Sequence, residues 1–97
     1  MLATEELALQ LRARLMEAGY SRDAARHIAS ALAHASALVG VDPLSLDPDE
    51  LASLLLNRLN YAYNSAIRAV RGLIILQNGG RRPRWITLTE EGVVVRW

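Results

Sequence analysis

Arginine supplies all eleven basic side chains of this 97-residue sequence, and most of them fall in its second half. Residues 57–97 carry seven arginines against two carboxylates, a balance of +5, whereas residues 1–56 carry four against eight, a balance of −4. A guanidinium can hold a phosphate through two parallel hydrogen bonds, and basic side chains release counterions condensed on a nucleic acid. A GC-rich genome would also favour arginine over lysine, so the uneven distribution carries the inference. It predicts that the carboxy-terminal part binds nucleic acid.

Catalytic patterns find little support in the sequence. His27 and His34 share a face of one predicted helix, but no carboxylate or cysteine stands nearby at a spacing suited to a metal site. Gly79-Gly80 lacks the Lys-Ser/Thr ending of a phosphate loop, and Thr87 lies in a predicted strand with no base beside it. We therefore expect no enzymatic activity, no catalytic residue, no metal and no cofactor.

Length and composition predict one domain spanning residues 1–97. The chain is 52% hydrophobic without an apolar run of membrane-spanning length, and it contains no cysteine. Its start, MLATEELALQ, has two acids and no basic residue, which excludes the positive region of a secretory signal. We expect a cytoplasmic protein without membrane contact. The apolar excess suggests a partner protein or a homodimer.

Helix signals fill the first three-quarters of the chain. Leucines recur along one face up to Gly19, and Ser21 can cap a second helix that ends at Gly40, so residues 1–40 are predicted to form a helical hairpin. A linker with Pro43 follows, and Asp47-Pro48 predicts the start of a third helix.

The segment after the third helix allows two interpretations. The asparagines of NRLNYAYN predict a turn near residues 57–60, followed by a fourth helix at about residues 61–71 that Gly72 closes. The alternative is one unbroken helix over residues 48–71. In either case one face is apolar, and the other is polar, basic and free of acids. That outer face carries Tyr61, Asn64, Ser65, Arg68 and Arg71.

A β-ribbon is predicted after Gly72. Residues 73–76 form a short apolar run typical of a buried strand, Asn78-Gly79-Gly80 suits a tight reversal, and residues 84–89 alternate as a second strand does. The ribbon would carry a basic tip at residues 78–84, with Arg81, Arg82 and Arg84. A second reversal at residues 90–92 could add a third strand over residues 93–97.

With these elements the sequence resembles the winged helix-turn-helix DNA-binding proteins, particularly MarR-like and ArsR-like regulators. The resemblance covers residues 47–92 through DELASLLL, YAYNSAIRAVRGLI and GGRRPRWITLTEEG. It implies an α+β fold with an N-terminal helical hairpin and a C-terminal β-hairpin wing, and a transcriptional regulator that binds double-stranded DNA. The residues it assigns to DNA contact are Tyr61, Asn64, Ser65, Arg68 and Arg71 from the recognition helix and Arg81, Arg82 and Arg84 from the wing.

The end of the chain departs from that family. After LTEEG, a MarR-like protein usually begins a long dimerisation helix, whereas VVVRW is β-branched. A dimer would therefore use the first two helices or an exposed edge strand.

Two other interpretations stay open. Residues 5–78 also resemble the four-helix core-binding domain of tyrosine recombinases, which clamps DNA beside a separate catalytic domain. A small helical subunit of a larger protein or nucleoprotein assembly would use the same apolar excess and arginine face for packing.

Overall fold

Four helices and one antiparallel β-ribbon make up the part of the chain that the computed structural model describes, residues 4–97. The α+β class is therefore confirmed, with the sheet at the carboxy-terminal end and two strands in it. Residues 1–3 of the predicted hairpin segment lie outside the described residues. The elements are α1 (Thr4–Glu17), α2 (Arg22–Val39), a 3₁₀ turn (Pro43–Ser45), α3 (Pro48–Ser53) with a π-helical continuation (Leu54–Arg58), α4 (Tyr63–Gln77), β1 (Trp85–Thr89) and β2 (Gly92–Arg96).

The first two helices form a hairpin, as their sequence predicts. Leu11 and Leu15 of α1 are buried against α2, which begins where the Ser21 hydroxyl accepts a hydrogen bond from the Ala24 amide at 3.2 Å. The helix ends at Gly40, whose φ of +71° is the left-handed conformation that glycine adopts without strain. This hairpin supplies the surface on which α4 packs.

The start of α3 also follows the sequence. Asp47 is the N-cap and accepts a hydrogen bond from the Asp49 amide at 3.3 Å, and Pro48 occupies the first turn. Helical structure continues to Arg58 and then breaks over residues 59–62, where Asn60 takes a φ of +56°. The alternative of one unbroken helix over residues 48–71 is therefore wrong. The predicted turn exists two residues later than expected, because the Asn60 backbone tolerates the left-handed conformation that the reversal requires.

The largest correction concerns α4, which runs from Tyr63 to Gln77 and not from residue 61 to residue 71. Gly72 lies inside this helix, and a Cβ built there would stand 2.6 Å from Ile28 Cγ2 of α2 and 3.5 Å from Leu15 Cδ2 of α1. Glycine is thus present for close helix packing and does not end the helix. Residues 73–76, expected as a strand, are the buried last turns of α4, because burial by the other elements overrides local sequence preference.

The ribbon is formed by the second and third predicted strands, residues 84–89 and 93–97, whereas the first predicted strand, residues 73–76, is helical. Asn78-Gly79-Gly80 ends α4, since the Asn78 and Gly80 amides donate to carbonyls of its last turn at 3.1 and 2.8 Å. The reversal occurs at Glu90-Glu91, where the second reversal was predicted, and β1 pairs with β2 in the register Trp85 to Arg96 through Thr89 to Gly92. The prediction of a basic ribbon tip at residues 78–84 is therefore wrong. Arg81, Arg82 and Arg84 lie in the loop between α4 and β1, and the ribbon turn is acidic.

The ribbon is fastened to the helices at two points. Ile86, Leu88, Val93 and Val95 face the core, and the exposed Tyr63 hydroxyl of α4 accepts a hydrogen bond from the Leu88 amide at 3.3 Å. Asp49, in the first turn of α3, accepts a hydrogen bond from the Val93 amide at 2.6 Å. The acidic ribbon turn is thereby held next to the start of α3.

Gly72→Ala should destabilise the protein, because the added methyl would overlap the branched Ile28 side chain within a packed core. Overpacking of this kind costs about 1–3 kcal/mol, and the better helix propensity of alanine recovers about 1 kcal/mol. Urea unfolding of the single and double variants with Ile28→Ala gives the coupling between the two positions. The Gly72→Ala penalty should shrink when Ile28 is already alanine; equal penalties in both backgrounds would contradict the packing role.

Asp49→Ala should loosen the ribbon while leaving α3 formed, because Asp47 still caps that helix. The loss of one charge-assisted hydrogen bond at an exposed site should cost about 1 kcal/mol. Amide hydrogen exchange at Val93 is the direct measurement, and it should accelerate in this variant. Glu50→Ala removes an equal charge from the next residue and serves as the control; equal acceleration at Val93 in both variants would show that the hydrogen bond is unimportant.

Candidate nucleic-acid interface

The polar strip of α4 is narrow. Its exposed residues are Tyr63, Asn64, Ser65, Arg68 and Gln77, while α2 covers one flank of the helix and β1 the other. Ala62, at the N-cap, offers no capping side chain to the first amides of α4. Asn64, Ser65 and Arg68, all predicted as contact residues, therefore share an open surface near an uncapped helix start.

A groove lies beside this strip, between α2 and the first half of α4. Its volume is about 330 Å³, and the predicted contact residue Tyr61, half-buried in the break before α4, lines it. None of the lining residues is acidic. They are His27, Ile28, Ser30, Ala31, Tyr61, Ser65 and Arg68. Imidazole, hydroxyl and guanidinium groups in one groove can donate hydrogen bonds to an anion.

Two of the predicted contact arginines make hydrogen bonds within the protein. Arg71 is half-buried and donates from Nη2 to the Pro83 carbonyl at 3.3 Å, which ties the loop to α4. Arg82 donates from Nη2 to the Ala18 carbonyl at 3.0 Å, beyond the end of α1, and its guanidinium lies 5.0 Å from the centre of the Tyr20 ring. Both side chains hold the 81–84 loop against the helices, which restricts their reach toward a ligand.

Tyr20 lies where these arginines converge. Burial raises the pKa of its phenol above the ordinary value of 10.0, and the charges of Arg82, Arg71 and Arg68 partly oppose that rise. Its hydroxyl is buried and has no hydrogen-bond partner among the described residues. The three guanidinium groups are thus close enough to act on one phenol, which connects the strip of α4 to the 81–84 loop.

The remaining arginines of this region lie at the open end of the ribbon. Arg81 stacks on the Trp97 ring at 4.6 Å, and Arg96 lies over the Trp85 ring at 5.6 Å. The Arg84 amide donates to the Arg96 carbonyl at 2.8 Å, which fixes these residues side by side. We call the exposed residues Asn64, Ser65, Arg68, Arg81, Arg84 and Arg96 together the arginine face.

Very little negative charge compensates this surface. Within residues 4–97 one ion pair forms, between Arg26 and Asp23 at 3.9 Å, and it lies on the exposed side of α2. The carboxylates of Asp49, Glu90 and Glu91 line a separate groove where α3 meets the ribbon turn. The structure therefore separates charge in space as the sequence does along the chain, but the ribbon turn belongs to the acidic part.

Two residues of this region, Arg96 and His27, were not among the predicted contact residues, and the pairing of the two tryptophans with arginines was not predicted either. Arg96 joins the arginine face because β2, the predicted third strand, pairs with β1 and places Arg96 opposite Trp85. A partial signal was present, because WITLT and VVVRW are both β-branched runs separated by a short turn sequence containing glycine.

Comparison with protein-family models, curated proteins and solved structures found no match. Among residues 4–97, no helix has the length and apolar character needed to cross a membrane, and no cluster of three or more His, Cys, Asp or Glu side chains is placed to hold a metal ion.

Tyr20→Phe should leave the protein at least as stable, with a gain of about 1 kcal/mol, because a buried hydroxyl without a partner is costly. The aromatic ring under Arg82 is retained in this variant. Because the phenol pKa is higher in the folded protein than in the unfolded chain, ionisation of Tyr20 has no effect on the free energy of unfolding below pH 10. It lowers that free energy as the pH rises through the folded-state pKa.

Urea unfolding at pH 8 and pH 10.5 tests both statements. The advantage of the Phe variant over the original protein should widen at the higher pH, since phenylalanine does not ionise. A Phe variant that is less stable at pH 8 would mean that the hydroxyl makes a stabilising hydrogen bond.

Proposed function

We propose that this protein is a non-enzymatic DNA-binding protein of the winged helix-turn-helix type, and that its arginine face binds double-stranded DNA. The observation that carries the proposal is a set of four exposed arginines that have, among residues 4–97, no carboxylate within 4.0 Å of them. Phosphates of a duplex are the polyanion that such a surface fits best, because each neutralised phosphate releases a condensed counterion.

The order of the elements supports the winged-helix assignment. Helix α3, a four-residue break, helix α4 and an antiparallel ribbon follow one another as the two helices and the wing do in that fold. In this proposal α4 is the recognition helix and β1–β2 the wing. The region that resembles a recombinase core-binding domain ends at residue 78, so that resemblance does not account for the ribbon.

Contact with the DNA backbone is favoured over readout of base edges. A recognition helix that enters a major groove must project its side chains freely, whereas α4 is flanked by α2 and β1 and exposes five residues. Asn64, Ser65 and the uncapped amides at the start of α4 suit a phosphate oxygen, which helix N-termini attract. The proposal is therefore an architectural or weakly sequence-selective mode of binding.

The ribbon turn is not part of the proposed interface. Glu90 and Glu91 are exposed there, and Asp49 and Glu50 lie on the first turn of α3 nearby. Like charges repel a phosphate backbone, so the DNA should lie along α4 and the 81–84 loop and avoid the turn. Arg71 and Arg82 position the loop and contribute charge at longer range.

Replacing Arg68, Arg81 and Arg84 together with Gln should lower affinity for a random-sequence duplex by roughly 10- to 100-fold at low salt. The slope of log affinity against log salt should fall by about 0.9 for each phosphate that the variant no longer neutralises. Fluorescence anisotropy of a labelled duplex at several salt concentrations measures both quantities.

The matched control replaces Arg12, Arg14 and Arg58 with Gln, which removes the same net charge from α1 and the end of the third helical segment. Its affinity should stay close to that of the original protein. If both triple variants lose affinity equally, net charge and not the arginine face is responsible. If the original protein does not bind duplex DNA even at low salt, the proposed function is wrong.

A further inference from the structure

Both tryptophans of the chain belong to the open end of the ribbon, since Trp85 begins β1 and Trp97 follows β2. Trp85 is 47% exposed and Trp97 is 44% exposed, although indole is among the side chains that gain most from burial. Trp85 is the cross-strand partner of Arg96, and Trp97 is the residue after Arg96. The core therefore encloses neither ring.

Arginines hold these rings in place. Arg81 stacks on Trp97 at 4.6 Å and Arg96 on Trp85 at 5.6 Å, and the backbone hydrogen bond from Arg84 to Arg96 fixes the two strands at this point. A guanidinium stacked on an indole leaves its remaining N–H groups free to bind an anion. The cluster of Trp85, Trp97, Arg81, Arg84 and Arg96, here called the tryptophan platform, thus combines flat apolar rings with donors for phosphate.

We infer that the tryptophan platform binds unpaired bases of single-stranded DNA by stacking, with its arginines holding the adjacent phosphates. Every base has a π face, so stacking on aromatic rings accepts any sequence, and positively charged side chains follow the backbone. The inference rests on the proposed DNA-binding function, because Arg81, Arg84 and Arg96 belong to both surfaces. It adds a second substrate form to that function.

Unpaired bases suit this platform better than duplex DNA does. In a duplex the faces of the bases are covered by neighbouring base pairs, and a protein meets only base edges and phosphates. A flat, half-exposed indole offers one N–H donor to a base edge, whereas its ring fits the whole face of a base that has left the stack. The protein would therefore hold a duplex along α4 and an adjoining unpaired end or gap at the ribbon.

Intrinsic fluorescence tests the inference directly, because both tryptophans of the chain are in the platform. A fifteen-nucleotide oligothymidylate should quench tryptophan fluorescence on binding. A strand of equal length made only of abasic sites carries the same phosphates without bases, and it should bind more weakly and without quenching. This comparison uses the unmodified protein and does not depend on any variant.

Substitutions of Trp85 and Trp97 test whether their rings stack on the bases. Trp85→Ala and Trp97→Ala should each weaken oligothymidylate binding by roughly 10-fold, in keeping with the loss of one stacked base. Trp85→Phe and Trp97→Phe keep an aromatic face and should bind within about 3-fold of the original protein. Affinity for blunt duplex DNA should change little in all four variants, and circular dichroism checks that each is folded.

Several results would overturn the inference. Equal binding of the abasic strand, binding of oligothymidylate without quenching, or Phe variants as weak as the Ala variants would each exclude stacking. A dimer seen by sedimentation and abolished by Trp85→Ala would show that the rings bury against a second copy of the chain. Duplex binding without oligothymidylate binding would reject this inference alone, whereas loss of both would reject the proposed function as well.

Discussion

The close approach of α4 to the N-terminal hairpin at Gly72 is the constraint on which the rest of the structure depends. A hydrogen atom in place of a side chain lets the backbone of α4 come within van der Waals contact of Ile28 and Leu15, where a methyl group would overlap Ile28. Because this contact lies in the middle of α4, the helix is buried on both sides of it and continues to Gln77. The end of α4 therefore lies some two turns later than the sequence pattern suggests.

The extension of α4 to Gln77 determines which arginines are available to bind a ligand. With α4 extended, the loop runs back along the helix, and Arg71 and Arg82 are used to fasten it to the Pro83 and Ala18 carbonyls. Within the described residues 4–97, the side chains of Arg68, Arg81, Arg84 and Arg96 make no such hydrogen bond, and these arginines form the positive surface. A charged side chain can thus serve as a structural clip or a ligand contact within one short segment, and the neighbouring backbone carbonyls determine which role it takes.

The same arrangement separates the acidic and basic parts of the molecule. The Asp49 carboxylate accepts a hydrogen bond from the Val93 amide of β2, which brings the Glu90-Glu91 turn beside the start of α3. The open end of the ribbon, with Trp85 and Trp97 under their arginines, is left at the opposite end of two five-residue strands, roughly 16 Å away. A polyanion approaching this protein is therefore attracted to the arginines and repelled at the turn, which gives the proposed interface a defined orientation.

Interactions between near neighbours in the sequence determine much of this architecture. Ser21, Asp47-Pro48 and Gly40 set helix ends through hydrogen bonds and backbone preferences that involve only near neighbours, and the apolar stripe of α2 with the polar strip of α4 followed from periodicity. Packing between distant segments decided the rest. Burial of residues 73–76 and the fit of Gly72 against Ile28 select a helix there, and the β1–β2 register brings Arg96 beside Trp85. Short apolar runs and single glycines have the same local preferences in several structures, so contacts across the core select among them.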